Sequence, residues 1–327
     1  MKKLDFVIAW VDGSDENHRL KRQQFQPENV VKGAAEDTRF AHNDEIYFSI
    51  ASILKYVPYC GTIYIITDHQ QPSFVGEFEA QGLCRSGQIQ VVDHQEIFRN
   101  YQQYLPTFNS LSIESMLWNI EGISNHFIYL NDDFFFNQQS DLSDFLIDGQ
   151  MVIYGHWQAT LIKKMKYIFR KFLQQNFGMV AEAKYSTAQM LSADRVGMTR
   201  YYEIHHRPHI LSRDLLSTYF KNNKELLEQQ IQFKFRNIDQ LLPVGLSNHL
   251  AIQSDQAILK DDIDIAYLKD GRDLEKFILA LSNSEIKFGC IQSLDQLESL
   301  AEGRIRAALI QKFTGFLPSQ IQPTTVV

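Results

Sequence analysis

The stretch Phe127-Ile128-Tyr129-Leu130-Asn131-Asp132-Asp133-Phe134-Phe135-Phe136 decides the fold. Its first four residues form a short apolar run that ends in one amide and two adjacent carboxylates. A continuous apolar run of this length is typical of a strand buried on both faces, as in a parallel sheet covered by helices. Ligands of open α/β sheets bind beyond the carboxyl ends of the strands, so the polar residues after the run are candidates for a site.

Similar apolar runs occupy residues 5–11, 63–66 and 89–92. Helices are predicted over 44–56, behind Asn43 as N-cap, and over 110–120, behind Asn109. Further helices are expected over 161–175, 213–228 and 297–316. We therefore predict an α/β fold, Rossmann-like, with a mostly parallel sheet flanked by helices. The chain contains no repeat and no Gly/Ser linker, so we expect one domain over 1–327 with a helical lobe at about 157–230.

Composition excludes several classes of protein. The formal net charge of -7 and the pI near 5.8 argue against general nucleic-acid binding. The chain has neither a P-loop nor a GxGxxG motif. The apolar run at 6–11 is too short for a signal sequence or a membrane span, which predicts a cytoplasmic protein. Cys60, Cys84 and Cys290 lack CxxC spacing and are expected to be reduced, buried thiols.

Two adjacent carboxylates between apolar residues would repel each other strongly unless a cation lies beside them. Asp132 and Asp133 are therefore predicted to bind Mg²⁺ or Mn²⁺, with a substrate diphosphate supplying further oxygens. A solvated turn is the alternative. Asp12, which follows the first run at Gly13, either points into the same crevice or stabilises its own turn. Asp68, at the end of the second run, either contacts the ribose or base of a nucleotide or stabilises its own turn.

Basic residues that could handle phosphate are scattered along the chain. Arg39 lies just before the helix predicted from Asp44, where free backbone N–H groups suit an anion, or it pairs with Glu45 at the surface. The segment His205-His206-Arg207-Pro208-His209 offers three imidazoles. One of them could act as a general base near neutral pH, with metal binding and a plain loop as the alternatives.

Residues 162–173 form a concentrated basic amphipathic segment. It could dock on an anionic membrane surface or on a charged polymer. The alternative is a helix that packs its apolar face on the core and leaves its basic face in solvent.

Several blocks resemble the Stealth proteins, which include bacterial capsule polymerases and the lysosomal-enzyme N-acetylglucosamine-1-phosphotransferase. They are DFVIAWVDGSD (5–15), RFAHNDEIYFSIAS (39–52), IYIITD (63–68) and LPTFNSLSIESMLWNIEGISNHFIYLNDDFFF (105–136). The resemblance continues in HRPHILSR (206–213) and in FKFR (233–236) with Asp239, and more weakly at 287–291 and 316–319. It thus extends over nearly the whole chain.

The resemblance implies a fold similar to GT-A glycosyltransferases and transfer of a hexose- or N-acetylhexosamine-1-phosphate from a UDP-sugar to an acceptor hydroxyl, with release of UMP. The acceptor would be a glycan or a lipid-linked glycan. By position, Asp132 and Asp133 look like the metal and diphosphate site, His206 like the catalytic histidine and Arg236 like a phosphate-binding arginine. The remaining candidates for donor contacts are Asp12, Arg39, Asp44, Asn131 and Asp239.

The sequence departs from the family pattern in three places. Ala51 replaces a usual arginine, His42 a common aspartate, and Gln292-Ser293 the usual Asn-Asp. Two other functions stay open: a metal-dependent glycosyltransferase that releases UDP, and a catalytically silent protein that binds glycan or nucleotide-sugar.

Overall fold

The computed structural model describes residues 3–26, 44–179, 181–292, 294 and 297–321. Its strands are β1 Leu4–Ala9, β2 Cys60–Thr67, β3 Ile89–Asp93, β4 His126–Asn131, β5 Phe134–Phe136, β6 Leu146–Ile147, β7 Gln150–Tyr154, β8 His156–Ala159, β9 Arg200–Glu203, β10 His209–Ser212, β11 Ala257–Lys260, β12 Ala266–Leu268 and β13 Phe288–Ile291. Its helices are α1 Glu16–Phe25, α2 Glu45–Tyr56, α3 Ser73–Ala80, α4 His94–Ile97, α5 Ser110–Glu114, α6 Thr160–Phe177, α7 Tyr185–Arg195, α8 Arg213–Asn222, α9 Lys224–Ile231, α10 Pro243–Gln253, α11 Leu274–Ser282 and α12 Ser299–Lys312.

The four predicted apolar runs form four adjacent strands of one sheet, in the order β10-β4-β1-β2-β3. Strands β1 to β4 are mutually parallel, and β10 joins the edge of β4 in the antiparallel sense. The residues of β1 that face the neighbouring layers are fully buried, as expected for a strand covered on both sides. The predicted α/β fold with a mostly parallel central sheet is confirmed.

Strands β1 and β4 lie side by side at the point where the strand order reverses. Ala9, the last residue of β1, is paired with Asn131, the last residue of β4. Their carboxyl ends therefore open into the same crevice, which is where open α/β sheets place their ligands. The residues that immediately follow β4 are positioned at this crevice by the sheet itself.

Asp132 and Asp133 form the two-residue turn between β4 and β5. Beyond the turn, β5 leaves the central sheet and pairs with β13 in a second sheet of order β12-β13-β5. The Ile291 backbone N–H donates to the Asp133 carbonyl over 2.9 Å. Gly289 allows this close packing, because a Cβ atom there would lie 2.1 Å from the Phe135 ring.

Several predicted helices have different boundaries in the structure. Helix α2 starts at Glu45 after Asp44, which has a left-handed backbone (φ 64°); the predicted cap Asn43 lies outside the described residues. Helix α5 is capped by Asn109 as predicted but already ends at Glu114 and gives way to a 3-10 turn at 117–119. The predicted helix 213–228 is divided at Asn223. The segment predicted as a helical lobe also contains β9 and β10.

Candidate functional site

The carboxylate pair of the β4–β5 turn is partly buried and incompletely hydrogen-bonded. The Cys290 thiol donates to Asp133 Oδ2 over 3.4 Å, whereas Asp133 Oδ1 is buried without a hydrogen-bond partner. Burial raises the pKa of Asp132 to about 7, and the neighbouring Asp133 charge adds to this rise. Burial likewise raises the pKa of Asp133 to about 7, with a further contribution from Glu45. Carboxylate oxygens of this kind could hold a hard divalent cation.

His206 lies beside this turn in an aromatic setting. Its ring stacks on Tyr185, with 4.9 Å between centroids, and lies parallel to Tyr267 at 6.1 Å. Phe134, the residue after Asp133, meets it edge-on at 6.2 Å. Burial lowers the pKa of His206, and the positive charges of His205 and Arg236 lower it further. The imidazole is therefore neutral at pH 7 and able to accept a proton.

The other residues of the histidine segment have different environments. His205 is at the surface, where its Nε2 lies 3.4 Å from Asp262 Oδ1. Arg207 turns into the interior, donates to the Tyr154 carbonyl over 2.8 Å and stacks on the Tyr154 ring. His209 is buried within β10. His206 is the member of this segment that contacts the residue next to the carboxylate pair.

Arg236, Glu114 and Tyr129 lie together near the end of β4. Arg236 donates to Ser110 Oγ over 2.7 Å, and the Glu114 carboxyl lies near Ser110 and Tyr129, with its Oε2 buried and without a hydrogen-bond partner. The Tyr129 hydroxyl also lies 2.9 Å from Asn131 Oδ1. Burial raises the pKa of Glu114 to about 7, although the Arg236 charge opposes this rise. The structure thus brings Asn131, Asp132, Asp133, His206 and Arg236 into one region.

The remaining predicted residues have other partners. Asp12 stabilises its own turn, because its Oδ1 accepts from Ser14 N and Oγ over 2.9 and 2.6 Å. Asp44 Oδ2 lies 3.3 Å from Arg306. Asp239 accepts from Tyr167 over 2.8 Å and from Lys171 over 2.9 Å. Asp68 is held by Lys21 of α1. Arg39 and His42 lie outside the described residues. The roles of all the residues in this paragraph in donor binding stay predictions.

Five site residues were not predicted: Glu45, Glu114, Tyr185, Tyr267 and Gln292. Glu114 carried a signal in the sequence, since it is the one charged residue of a short helix that otherwise consists of serine, leucine and isoleucine. Gln292 was noted as a departure from the family pattern, and its Oε1 accepts from the Tyr267 hydroxyl over 2.6 Å. The two tyrosines are far from His206 in sequence and carried no local signal.

Helix α6, next to the site, is oriented with its apolar side outward. Within the helix only Thr160 is buried, and large apolar side chains face solvent, among them Leu161 (67% exposed), Phe169 (61%) and Phe172 (51%). The opposite side is held by ion pairs of Lys163 with Glu203, Lys164 with Asp194 and Lys171 with Asp239. The alternative considered for this segment, an apolar face packed on the core with a solvated basic face, is therefore wrong. Across the described ranges, no helix is long and apolar enough to cross a membrane.

Comparison with known proteins places this geometry in a family context. Residues 39–153 match the family model of Stealth protein conserved region 2. A capsular polysaccharide phosphotransferase of Actinobacillus pleuropneumoniae is 39% identical over 145 residues, which is 43% of this chain and 38% of the relative. An exopolysaccharide phosphotransferase of Streptomyces coelicolor is 30% identical over 271 residues, 82% of this chain. That alignment spans 27% of the longer relative.

Similar solved structures are glycosyltransferases. The bifunctional glycosyltransferase WbbM covers 96% of this chain and 50% of its own at 9% identity and a TM-score of 0.47. Mouse xyloside xylosyltransferase 1 covers 89% of this chain and 97% of its own at 8% identity and a TM-score of 0.40. The family assignment comes from the sequence matches, which extend through the carboxylate turn. The chain carries Stealth conserved region 2 and belongs to the Stealth family.

Proposed function

We propose that this protein transfers a hexose- or N-acetylhexosamine-1-phosphate from a UDP-sugar to an acceptor hydroxyl in the synthesis of a phosphodiester-containing polysaccharide. The acceptor oxygen forms a bond to the β-phosphorus of the donor. The bond between that phosphorus and the oxygen bridging to the α-phosphate breaks, and UMP leaves with the electron pair. The anomeric carbon–oxygen bond of the sugar stays intact.

The proton of the acceptor hydroxyl goes to His206 in this proposal. A general base must be unprotonated before the reaction, and burial between aromatic rings keeps this imidazole neutral at pH 7. Tyr185 and Tyr267 fix the plane of the ring, and Gln292 in turn holds Tyr267. This preorganisation reduces the cost of aligning base, acceptor and phosphorus.

Charge on the transferred phosphoryl group needs cationic partners. In this proposal Arg236 donates to phosphate oxygens; its guanidinium is held by a hydrogen bond to Ser110 and lies near the Glu114 carboxyl. Asp132 and Asp133 would hold Mg²⁺ or Mn²⁺, and the orphaned Asp133 Oδ1 fits a metal ligand. When bound, such an ion neutralises diphosphate charge.

The observation that carries the proposal is the contact between the neutral His206 ring and Phe134, the residue that follows the Asp132–Asp133 pair. Relatives named as capsular or exopolysaccharide phosphotransferases support the reaction class. The test is to incubate the protein with a panel of UDP-sugars, Mg²⁺ and capsule-type or lipid-linked acceptors, and to identify the released nucleotide with and without EDTA. UMP that requires both metal and acceptor is expected.

Two other outcomes have definite meanings. Release of UDP would make the protein a glycosyltransferase that attacks the anomeric carbon with the same carboxylates. Binding of UDP-sugar without release of either nucleotide, across acceptors, would favour a silent nucleotide-sugar or glycan-binding protein.

We propose that helix α6 docks this enzyme on an anionic membrane surface, at the cytoplasmic face. Lys166 is exposed within the apolar face, between Ile162 and Phe169 along the helix. A lysine there suits a bilayer, since its stem can lie along the acyl region while the ammonium reaches lipid phosphates. Protein–protein interfaces, by contrast, are depleted in lysine. A lipid-linked acceptor would then be presented close to His206.

A further inference from the structure

We infer that His156, His205 and Asp262 bind a transition-metal ion such as Zn²⁺, at a site separate from the Asp132–Asp133 pair. The three residues come from distant parts of the chain: the start of β8, the segment after β9 and the segment after β11. The fold brings one ligand atom from each to within 4.8 Å of the others. The inference does not rest on the proposed function, because metal retention is measured without turnover.

The distances suit a small ion with short bonds. His156 Nδ1 lies 2.5 Å from Asp262 Oδ2, and His205 Nε2 lies 3.4 Å from Asp262 Oδ1. The two imidazole rings are 5.9 Å apart between centroids and tilted by 33°. A tetrahedral zinc ion with bonds of about 2.0–2.2 Å separates its ligand atoms by about 3.4 Å. Small rotations of the Asp262 and His156 side chains would produce this spacing.

A carboxylate also lies near the other ring nitrogen of His156, just beyond hydrogen-bond distance. Its second ring nitrogen, Nε2, lies 3.7 Å from Glu203 Oε2. Glu203 is itself held by the Tyr201 hydroxyl at 3.2 Å and by Lys163 at 3.4 Å. Metal-binding histidines commonly donate their other N–H to a carboxylate, which fixes the tautomer and ring orientation.

The ligand types select the class of ion. Two imidazoles and one carboxylate favour zinc-like ions over Mg²⁺, which prefers oxygen ligands. The side chains are 37–53% exposed, so a water molecule or a substrate oxygen can reach the fourth position. Binding there would tie the segment immediately before His206 to β8 and thereby restrain the catalytic histidine candidate.

The experiment uses Co²⁺ and Zn²⁺ as probes on the full chain after EDTA treatment. We expect one equivalent to survive buffer exchange in excess Mg²⁺, with a visible Co²⁺ absorption band typical of nitrogen ligands. Asp262→Asn and His156→Gln should weaken retention at least about tenfold. Asp132→Asn, which alters the other carboxylate site, should leave the retained equivalent and its spectrum unchanged.

Equal retention and spectra in Asp262→Asn and wild type would overturn the inference, as would a wild-type protein that keeps no equivalent. A second measurement covers the case in which the variants fail to fold. Proton NMR of the Co²⁺-loaded wild type should show paramagnetically shifted imidazole N–H resonances from two histidines. Absence of these resonances would mean that Co²⁺ does not bind at His156 and His205, and it would overturn the inference.

Discussion

His206 combines the two properties that a general base needs at neutral pH, a lowered pKa and a fixed ring plane. Replacing it with alanine should reduce the rate of UMP release by about 10²–10⁴-fold. Donor affinity should stay nearly unchanged, because the base contacts the acceptor. Single-turnover release of UMP and an equilibrium titration with UDP-sugar separate the two effects. Equal losses in rate and in donor affinity would contradict the assignment.

The pH profile provides an independent check on the same residue. Because the base must be unprotonated and burial holds its pKa below that of an ordinary histidine, the wild-type rate at saturating Mg²⁺ should fall only below the pH at which a free imidazole titrates. His206→Ala should lack this acidic limb.

In the proposed mechanism Glu114 positions Arg236 and does not contact substrate. At pH 8, where Glu114 is ionised, Glu114→Gln should lower the rate by about 10–100-fold, as for carboxylates that orient a primary ligand, because the negative charge beside Arg236 is removed. The matched control is Glu121→Gln, whose side chain is 82% exposed and pairs with Arg99 at the surface. Similar rates in the two variants would refute the role of Glu114.

At the scale of one helix, the outward apolar face of α6 predicts binding to lipid vesicles. Phe169→Ser with Phe172→Ser should weaken flotation with anionic vesicles at least about tenfold, since burial of each phenylalanine contributes about 1.5–3 kcal/mol. The control pair is Leu279→Ser with Leu300→Ser, at side chains 71% and 79% exposed outside α6. These control substitutions should leave flotation unchanged.

The same assay distinguishes other occupants of this face. Absence of wild-type flotation would reject the membrane proposal, and concentration-dependent dimerisation abolished by the phenylalanine substitutions would assign the face to a second copy. Neither result bears on which nucleotide the enzyme releases, so the proposed reaction is tested separately.

The elements that sequence patterns predicted correctly are those whose signal is local. Strands β1 to β4 are continuous apolar runs, and burial on both faces leaves little ambiguity. Helix α6 shows the limit of such patterns. Its periodicity separates an apolar side from a basic side, but it does not determine which side faces the protein. Carboxylates at 194, 203 and 239, contributed by other elements, decide that orientation.

The candidate functional site was also predictable only in part, because some of its residues come together through long-range packing. Asn131 ends a strand and Asp132 and Asp133 follow it directly, so the sheet places them. Tyr185 and Tyr267 reach His206, and Gln292 reaches Tyr267, through long-range packing that no spacing in the sequence encodes. The ligand set of His156, His205 and Asp262 likewise spans more than a hundred residues.

The stability of the whole protein should respond to Mg²⁺ in a pH-dependent way. Asp132 and Asp133 have pKa values raised to about 7 in the folded state. Their protonated forms therefore contribute to folding stability, and this contribution is lost as pH rises from about 4 to 7. The cation needs the unprotonated carboxylates. Its apparent Kd should therefore fall about tenfold or more between pH 6 and pH 8, because the unprotonated fraction rises by about that factor.

Thermal unfolding over a series of Mg²⁺ concentrations at the two pH values measures this change. Asp133→Asn should abolish most of the Mg²⁺-dependent rise in Tm at both. A Mg²⁺ effect of the same size at pH 6 and pH 8 would argue against a cation on this carboxylate pair.

The ion pairs that hold α6 carry a thermodynamic consequence. Lys171 is paired with Asp239, three residues from Arg236, and Lys163 with Glu203, two residues from His205. In the two proposals made above, vesicle binding and donor binding therefore act on shared segments. Thermodynamic linkage requires the coupling to be reciprocal. If vesicle binding changes the donor affinity by some factor, donor binding must change the vesicle affinity by the same factor. A loaded enzyme and an empty one would then distribute differently between membrane and solution.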